Sequence, residues 1–308
     1  MGARTAAVTA IVTANILGGV SYAIQKDAVA ELPPATLSLL RNLVALAVLI
    51  PWAWSLRRRD PAWSGADRLR MLFLGVVAYG LPLWLGVVGV ERSTAANGSI
   101  LILLEPTTIL LVAWLFMGEV VGRRLLIGAG ICMAGALLLV LTDAPVDGLL
   151  EDEFRLGNAL LALHGVLWGL HTPIARPVAA RHDAITMTTW TLLLSLLVLA
   201  PVSWSEHASD PVDWNSVLAV WPALLMLGLG VSLGATLLWL YSLRTLHASR
   251  VAAFVFLQPV AGLLAGYLWL GERSSPQALV GAAIILVGVG LTVRPPRAAR
   301  GTGKPVPG

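Results

Sequence analysis

A single cysteine, Cys132, stands in 308 residues, so no intramolecular disulfide can form, and its position in an apolar run makes it a small core residue. Charge is scarce too. Only 12% of residues are Asp, Glu, Lys or Arg, against 57% hydrophobic residues and a mean hydropathy of +0.80, which is too little polar surface for a water-soluble protein of this length. No phosphate loop, dinucleotide fingerprint, nucleophile elbow or zinc-protease helix occurs, so the familiar enzyme signatures are missing and no cofactor is implied. Metal ligation is not expected either. No carboxylate or cysteine follows His164 and His171 at ligand spacing, and His182, His207 and His247 fall in loops or at helix ends.

The chain instead consists of apolar runs long enough to cross a bilayer, which takes roughly 20 residues. They lie at about 6–25, 34–55, 69–90, 95–117, 123–142, 156–176, 185–205, 215–242, 248–270 and 276–293. Ten spans in two sets of five are thus expected. The sets repeat each other: LLEPTTILLVAWLFMGE at 103–119 returns as FLQPVAGLLAGYLWLGE at 256–272, with Pro106 and Pro259, and Glu119 and Glu272, each 153 apart. Gly128 falls on Gly281 and Gly135 on Gly288 at the same offset. An offset of 150 pairs Gly19 with Gly169, Lys26 with Arg176, Thr36 with Thr186, Pro51 with Pro201 and Trp54 with Trp204. A repeat of five spans must place its second copy upside down in the bilayer, which is a transporter architecture.

Basic residues set the orientation. With a cytoplasmic amino terminus, that side holds Arg4; Arg57, Arg58, Arg59, Arg68 and Arg70; Arg123 and Arg124; Arg176 and Arg181; Arg244 and Arg250; and Arg294, Arg297, Arg300 and Lys304, which is 16 of the 21. Lys26, Arg92, Arg155 and Arg273 lie opposite, and Arg41 lies within a span. Both termini are therefore expected in the cytoplasm. The expected organisation is a first repeat at 1–142, an extracytoplasmic linker at 143–155, a second repeat at 156–294 and a disordered basic tail at 295–308. The formal charge of +4 and pI near 9.7 express this topology and call for no nucleic-acid partner.

Candidate functional residues follow from polar groups inside the spans. Pro106 and Pro259 each fall about halfway across a span, where a proline removes a helix hydrogen bond, so the Ile102 and Val255 carbonyls are expected to be freed. Interruptions at matching places in two inverted halves point to a binding site at the membrane midplane, although a proline that merely kinks a helix is common. Beside them stand Glu105 and Gln258. A carboxylate at this depth is costly unless it is partnered, protonated or turned inward, and Arg41 on the second span is the expected partner, either as a permanent pair or as part of a substrate site. His164, Trp168 and His171 share one face of the sixth span, where the histidines offer a proton relay or simply a hydrogen-bonded interior. Glu105, His164 and His171 are the intramembrane groups able to change protonation. Tyr22 lies on the first span, and Tyr79, Trp84 and Trp239 lie deep enough to line a pathway or to pack. The tryptophans near span ends, such as Trp54 and Trp204, suit interfacial anchoring.

LLEP and FLQP, each followed by GE and then by a glycine-rich span (GAGICMAG and GAAIILVG), resemble the EamA domain of the drug/metabolite transporter superfamily, present twice between about residues 6 and 293. Arg41 in SLLRNLVAL resembles an arginine common in the first such domain. Three positions depart from the pattern: the first span reads LGGVSYAIQK where tryptophan usually precedes the glycine, Gln258 replaces the usual glutamate, and Thr191 stands where a second arginine would fall. The resemblance implies a ten-helix carrier of a bacterial inner membrane that moves small metabolites, commonly by export, through a central cavity between the repeats. Amino acids, related polar metabolites and drugs are its candidate substrates, the lipid bilayer its solvent and protons a candidate coupling partner, with no oligomeric state implied. A polytopic membrane enzyme would need ionisable residues clustered on one side, and a scaffold or sensor would tolerate loss of Arg41 and Glu105.

Overall fold

The computed structural model of the protein describes residues 2–56, 60–93, 101–143, 154–269 and 275–293, and all regular structure among them is helical. Helices α1 (Gly2–Ala28) and α2 (Pro34–Leu56) open the chain, Pro34 suiting a first helical position whose N–H would lack an intrahelical acceptor. Ser64 caps α3 (Gly65–Gly75) by accepting from the Asp67 N–H at 3.1 Å, and the helix widens through a π-helical turn at Val76–Gly80 into α4 (Leu81–Glu91). Next come α5 (Leu104–Met117), ended by Gly118 at φ 63°, and α6 (Arg123–Asp143). Only glycine adopts that left-handed conformation without strain.

The second half mirrors this order. It comprises α7 (Arg155–Ala179), α8 (Ala184–Ser209), the short α9 (Trp214–Ala219) and α10 (Trp221–Leu225), a π-helical stretch at Met226–Ala235, α11 (Thr236–Leu243), α12 (Ala248–Val255), α13 (Leu257–Trp269) and α14 (Pro276–Val293). The two π-helical stretches begin at Val76 and Met226, 150 residues apart. Seven helical stretches among the described residues are long and apolar enough to cross a membrane, and Leu104–Met117 and Pro276–Thr292 are shorter apolar helices. Turns at 102–103 and at Phe256 interrupt the expected runs at 95–117 and 248–270. Most of the expected linker and the whole of the expected tail lie outside the described residues.

Packing brings equivalent helices face to face. Contacts step backwards along α8 as they step forwards along α2: Thr36 meets Ser203 at 2.9 Å, Asn42 meets Ser195 at 3.2 Å, and Thr189 reaches the Leu49 carbonyl at 3.5 Å, so the two run antiparallel. The same holds for α6 and α14. A methyl group placed on Gly135 would sit 2.7 Å from the Gly281 oxygen, and one on Gly281 2.7 Å from the Gly135 oxygen, while Gly128 approaches Gly288 and the Cys132 sulfur lies 3.6 Å from the Ile285 carbonyl. Small residues let these backbones touch, as membrane helices require where no water drives association. Residues of α6 thus meet the repeat counterparts of their own neighbours, the reciprocity of a two-fold contact. Outward-facing Trp114, Phe116 and Leu268, the last two about four-fifths exposed, present the apolar surface expected toward lipid.

Candidate functional site

Both proline-bearing segments break three residues before the proline. After a turn at 102–103, α5 starts at Leu104, and after a turn at Phe256, α13 starts at Leu257. Pro106 and Pro259 are therefore third in a new helix, where the missing N–H has no intrahelical acceptor to lose. The Ile102 carbonyl, expected to be orphaned, instead accepts from the Glu105 N–H at 2.9 Å. Glu105 and Gln258 each occupy the second position of a half-helix, within the positive end of its dipole. Glu105 is buried.

Glycines on the crossing helices make room for these turns. A methyl group on Gly169 of α7 would come within 2.7 Å of the Glu105 carbonyl, and one on Gly19 of α1 would collide with the Gln258 carbonyl, so α7 grips one break as α1 grips the other. The Gln258 amide donates to Asn15 Oδ1 at 3.1 Å, and Asn15 donates back to the Ile11 carbonyl at 2.8 Å.

An aromatic cluster lies against the first break. On α7, the Trp168 ring centre stands 6.4 Å from both His164 and His171, and Tyr79, projecting from the π-helical turn at Val76–Gly80, meets Trp168 edge-on at 5.3 Å and His171 at 6.4 Å. The wide turn swings Tyr79 inward, where it is almost fully buried. His164 is anchored, its Nδ1–H donating to the Pro82 carbonyl at 2.7 Å. His171 is not: the residue is only 6% exposed, and its Nε2 has no hydrogen-bond partner among the described residues. An orphaned buried ring nitrogen is costly and asks for an explanation such as a bound group. Trp239 donates to Thr172 Oγ1 at 3.1 Å, which fixes its indole against α7. Trp84 is half-buried on α4, and the Tyr22 side chain lies outside the described residues.

Arg41 does not meet its expected partner. It is buried, and Nη1 donates to Gln25 Oε1 at 3.1 Å; no ion pair joins it to Glu105 among the described residues. The reason is neighbourhood, since α2 packs on α8 and the second π-helical stretch, whereas α5 packs on α7 and α12. The residue after it was not anticipated. Asn42 donates to Ser195 Oγ at 3.2 Å and accepts from Ser232 Oγ at 2.8 Å, a buried polar knot between the halves. Only its polarity within an apolar run could have signalled it.

Carboxylates also tie the halves together at the helix ends. Glu119, the first glutamate of the two GE motifs, accepts from the Ala248 and Ser249 N–H groups at 3.0 and 2.9 Å and from Arg176 at 2.8 Å, capping α12 from the other half of the chain. Glu206 at the end of α8 accepts from the Ala35 and Thr36 N–H groups at the start of α2, at 3.0 and 2.9 Å. Asp60, just beyond α2, accepts from the Asp183 N–H at the start of α8, at 2.9 Å. Elsewhere, a surface cleft of about 770 Å³ between α1 and α11 is lined by Thr5, Thr9, Thr13, Leu238 and Tyr241 among others. With no charged lining group among the described residues, it offers less chemistry than the interior cluster.

Paired helix breaks, a polar interior and a lipid-facing exterior define a membrane transporter. The chain matches the EamA-like transporter family over residues 5–141 and 155–294, and it belongs to that family. An "Uncharacterized transporter" of Archaeoglobus fulgidus is 27% identical over 274 residues, covering 88% of this chain and 92% of that protein. The "Probable terminal-alkyne amino-acid exporter" of Streptantibioticus cattleyicolor is 28% identical over 267 residues, 84% of each chain. A solved crystal structure superposes with a TM-score of 0.76 at 21% identity, over 93% of this chain and 96% of that one, and so shares the fold.

Proposed function

We propose that this transporter is a ten-helix secondary carrier of a bacterial inner membrane, with both termini cytoplasmic, whose inverted halves rock about a midplane site to export small polar metabolites. The antiparallel pairing of α2 with α8 and of α6 with α14 supports the inversion, because each pair joins equivalent members of the two repeats. The observation that carries the site is the orphaned Nε2 of His171, which lies against Trp168 and Tyr79 on the helix face beside the Glu105 break. Rings of this kind receive an apolar or cationic group, while His171, Glu105, Arg41 and Gln258 supply hydrogen bonds and charge. The exporter name of the Streptantibioticus relative favours amino acids within that class, with drugs as a second class.

Coupling to protons is part of the proposal, with Glu105, His164 and His171 as the interior groups able to carry one. Reconstitution in proteoliposomes tests both claims. Radiolabelled amino acids should cross the membrane, faster under an imposed pH gradient, and Glu105→Gln should keep exchange while losing that acceleration. Flux indifferent to the gradient would make the carrier a facilitator and return the three residues to a structural role.

A further inference from the structure

Far from the midplane cluster, His182 is wedged between two carboxylates. Its Nδ1 lies 3.3 Å from Asp60 Oδ2 and its Nε2 3.4 Å from Asp67 Oδ2, and the residue is only 2% exposed. A neutral imidazole carries only one N–H. In either tautomer its bare nitrogen would face a carboxylate oxygen, lone pair to lone pair, so the arrangement is satisfied only when three groups share one more proton than a neutral ring and two carboxylates hold.

That proton belongs on the ring. Every carboxylate oxygen of the pair already accepts from another donor: Asp60 Oδ1 from the Asp183 N–H, Asp60 Oδ2 from Trp63 Nε1 at 2.9 Å, Asp67 Oδ1 from Arg181 and, at 3.5 Å, from Arg70, and Asp67 Oδ2 from Ser64 at 2.8 Å. The Trp63 indole stacks on His182 with ring centres 3.8 Å apart and planes 16° from parallel, presenting its electron-rich face to a cation. Among the described residues, the other charged groups recorded nearby are Arg244, which donates to the His182 carbonyl at 2.7 Å, and Asp183, 3.8 Å from Arg244.

We propose that Asp60, His182 and Asp67 form a proton-binding latch across the cytoplasmic seam between the two halves. Residues 60–67 belong to the first repeat and 181–183 to the second, so the protonated ring joins them. Release of its proton to cytoplasmic water removes one of the two bridging donors and leaves two carboxylates facing a neutral ring. The bare ring nitrogen then faces a carboxylate oxygen, lone pair to lone pair, and opening the seam relieves that unsatisfied contact. The latch rests on the transporter reading for its bearing on flux and for its placement at the cytoplasm, but the protonation state does not.

Nitrogen-15 NMR of histidine-labelled protein in nanodiscs reads that state directly. At pH 7 one histidine should show both ring nitrogens protonated, and this signal should vanish in His182→Gln. Asp67→Asn should convert the same ring to a singly protonated form, because the new amide can donate to Nε2; this variant serves if His182→Gln fails to fold. A singly protonated His182 at pH 7 in the unaltered protein overturns the proposal, whatever the flux measurements give. Opening is read separately, with Cys132→Ala and Ala175→Cys in inside-out vesicles, since Ala175 is wholly buried in the apolar core shared with Met71, Leu74 and Leu243. Raising the cytoplasmic-side pH from 6 to 8 should speed its alkylation severalfold beyond the thiol's own ionisation, and Asp67→Asn should remove that excess. Superimposable pH profiles overturn the latch even if the ring is charged. Absence of any substrate flux would instead count against the transporter reading.

Discussion

Glu119→Ala removes the side chain that caps α12 and should be among the most destabilising single changes outside the core. Nothing local takes its place, because His247, at the N-cap position of α12, makes no capping bond with its side chain. Two N–H groups, on Ala248 and Ser249, lose a charged acceptor, and Arg176 loses its 2.8 Å partner. Loss of a cap costs about 1 kcal/mol and a buried donor left unmade about 1–3 kcal/mol, while Arg176, partly exposed, recovers some hydration, so the sum is about 3 kcal/mol. That is about a hundredfold in the folding equilibrium, at about 1.4 kcal/mol per tenfold. Glu119→Gln keeps one oxygen for one N–H and should lose about half as much. Reversible unfolding in mixed micelles of dodecyl sulfate and a mild detergent measures both. Adding Arg176→Ala to Glu119→Ala should cost less than the sum of the two singles. A Glu119→Ala protein within about 0.5 kcal/mol of the parent would refute the cross-half cap, a threshold set by ordinary surface substitutions.

Single cysteines in a Cys132→Ala background should react with an impermeant thiol reagent from outside at residues 143–155, and only from inside at residues 57–68; external labelling of the latter loop would overturn the inverted topology. Gly135→Leu should prevent close packing of α6 on α14, because even a methyl group there meets the Gly281 oxygen at 2.7 Å, and yield in detergent should fall sharply; a well-expressed, stable variant would contradict the seam. In a double-mutant cycle on stability, Arg41 and Gln25 should couple by about 1 kcal/mol and Arg41 and Glu105 by less than about 0.5 kcal/mol, the pattern expected of contacting and separated residues; the reverse order would restore the Arg41–Glu105 pair. His171→Phe should retain the fold, since the altered nitrogen bonds nothing among the described residues, yet impair amino-acid flux in proteoliposomes; unimpaired flux would remove His171 from the site.

Helical class and the pairing of segments were legible because they depend on hydrophobic length and on repeated glycines and prolines. Those features act locally along one chain. The positions of Pro106 and Pro259 marked where the helices break, but not that each proline would sit in the first turn of a new helix, because that depends on a turn formed three residues earlier. Arg41 illustrates a different limit. Depth along two spans suggested Glu105, yet depth says nothing about which helices adjoin, and Gln25 on α1 was nearer. Glu119 was visible as a repeated GE without a role, since two of its three partners, at Ala248 and Ser249, are backbone groups that no side-chain pattern reports. His182 looked like an ordinary loop histidine for a similar reason: its two carboxylates lie 115 and 122 residues away in sequence.

The reciprocal carboxylates at the ends of α2 and α8 restrict how such a protein can move. Glu206 closes the start of α2 and Asp60 the start of α8, so a displacement along the shared axis breaks both sets of bonds together. Sliding by one helical turn, about 5.4 Å, would strand polar groups at both ends of the pair at once. Tilting about the Asn42–Ser195 contact between them loosens one end while the other holds. The bonds between these two helices therefore oppose sliding along their shared axis more than tilting about its middle.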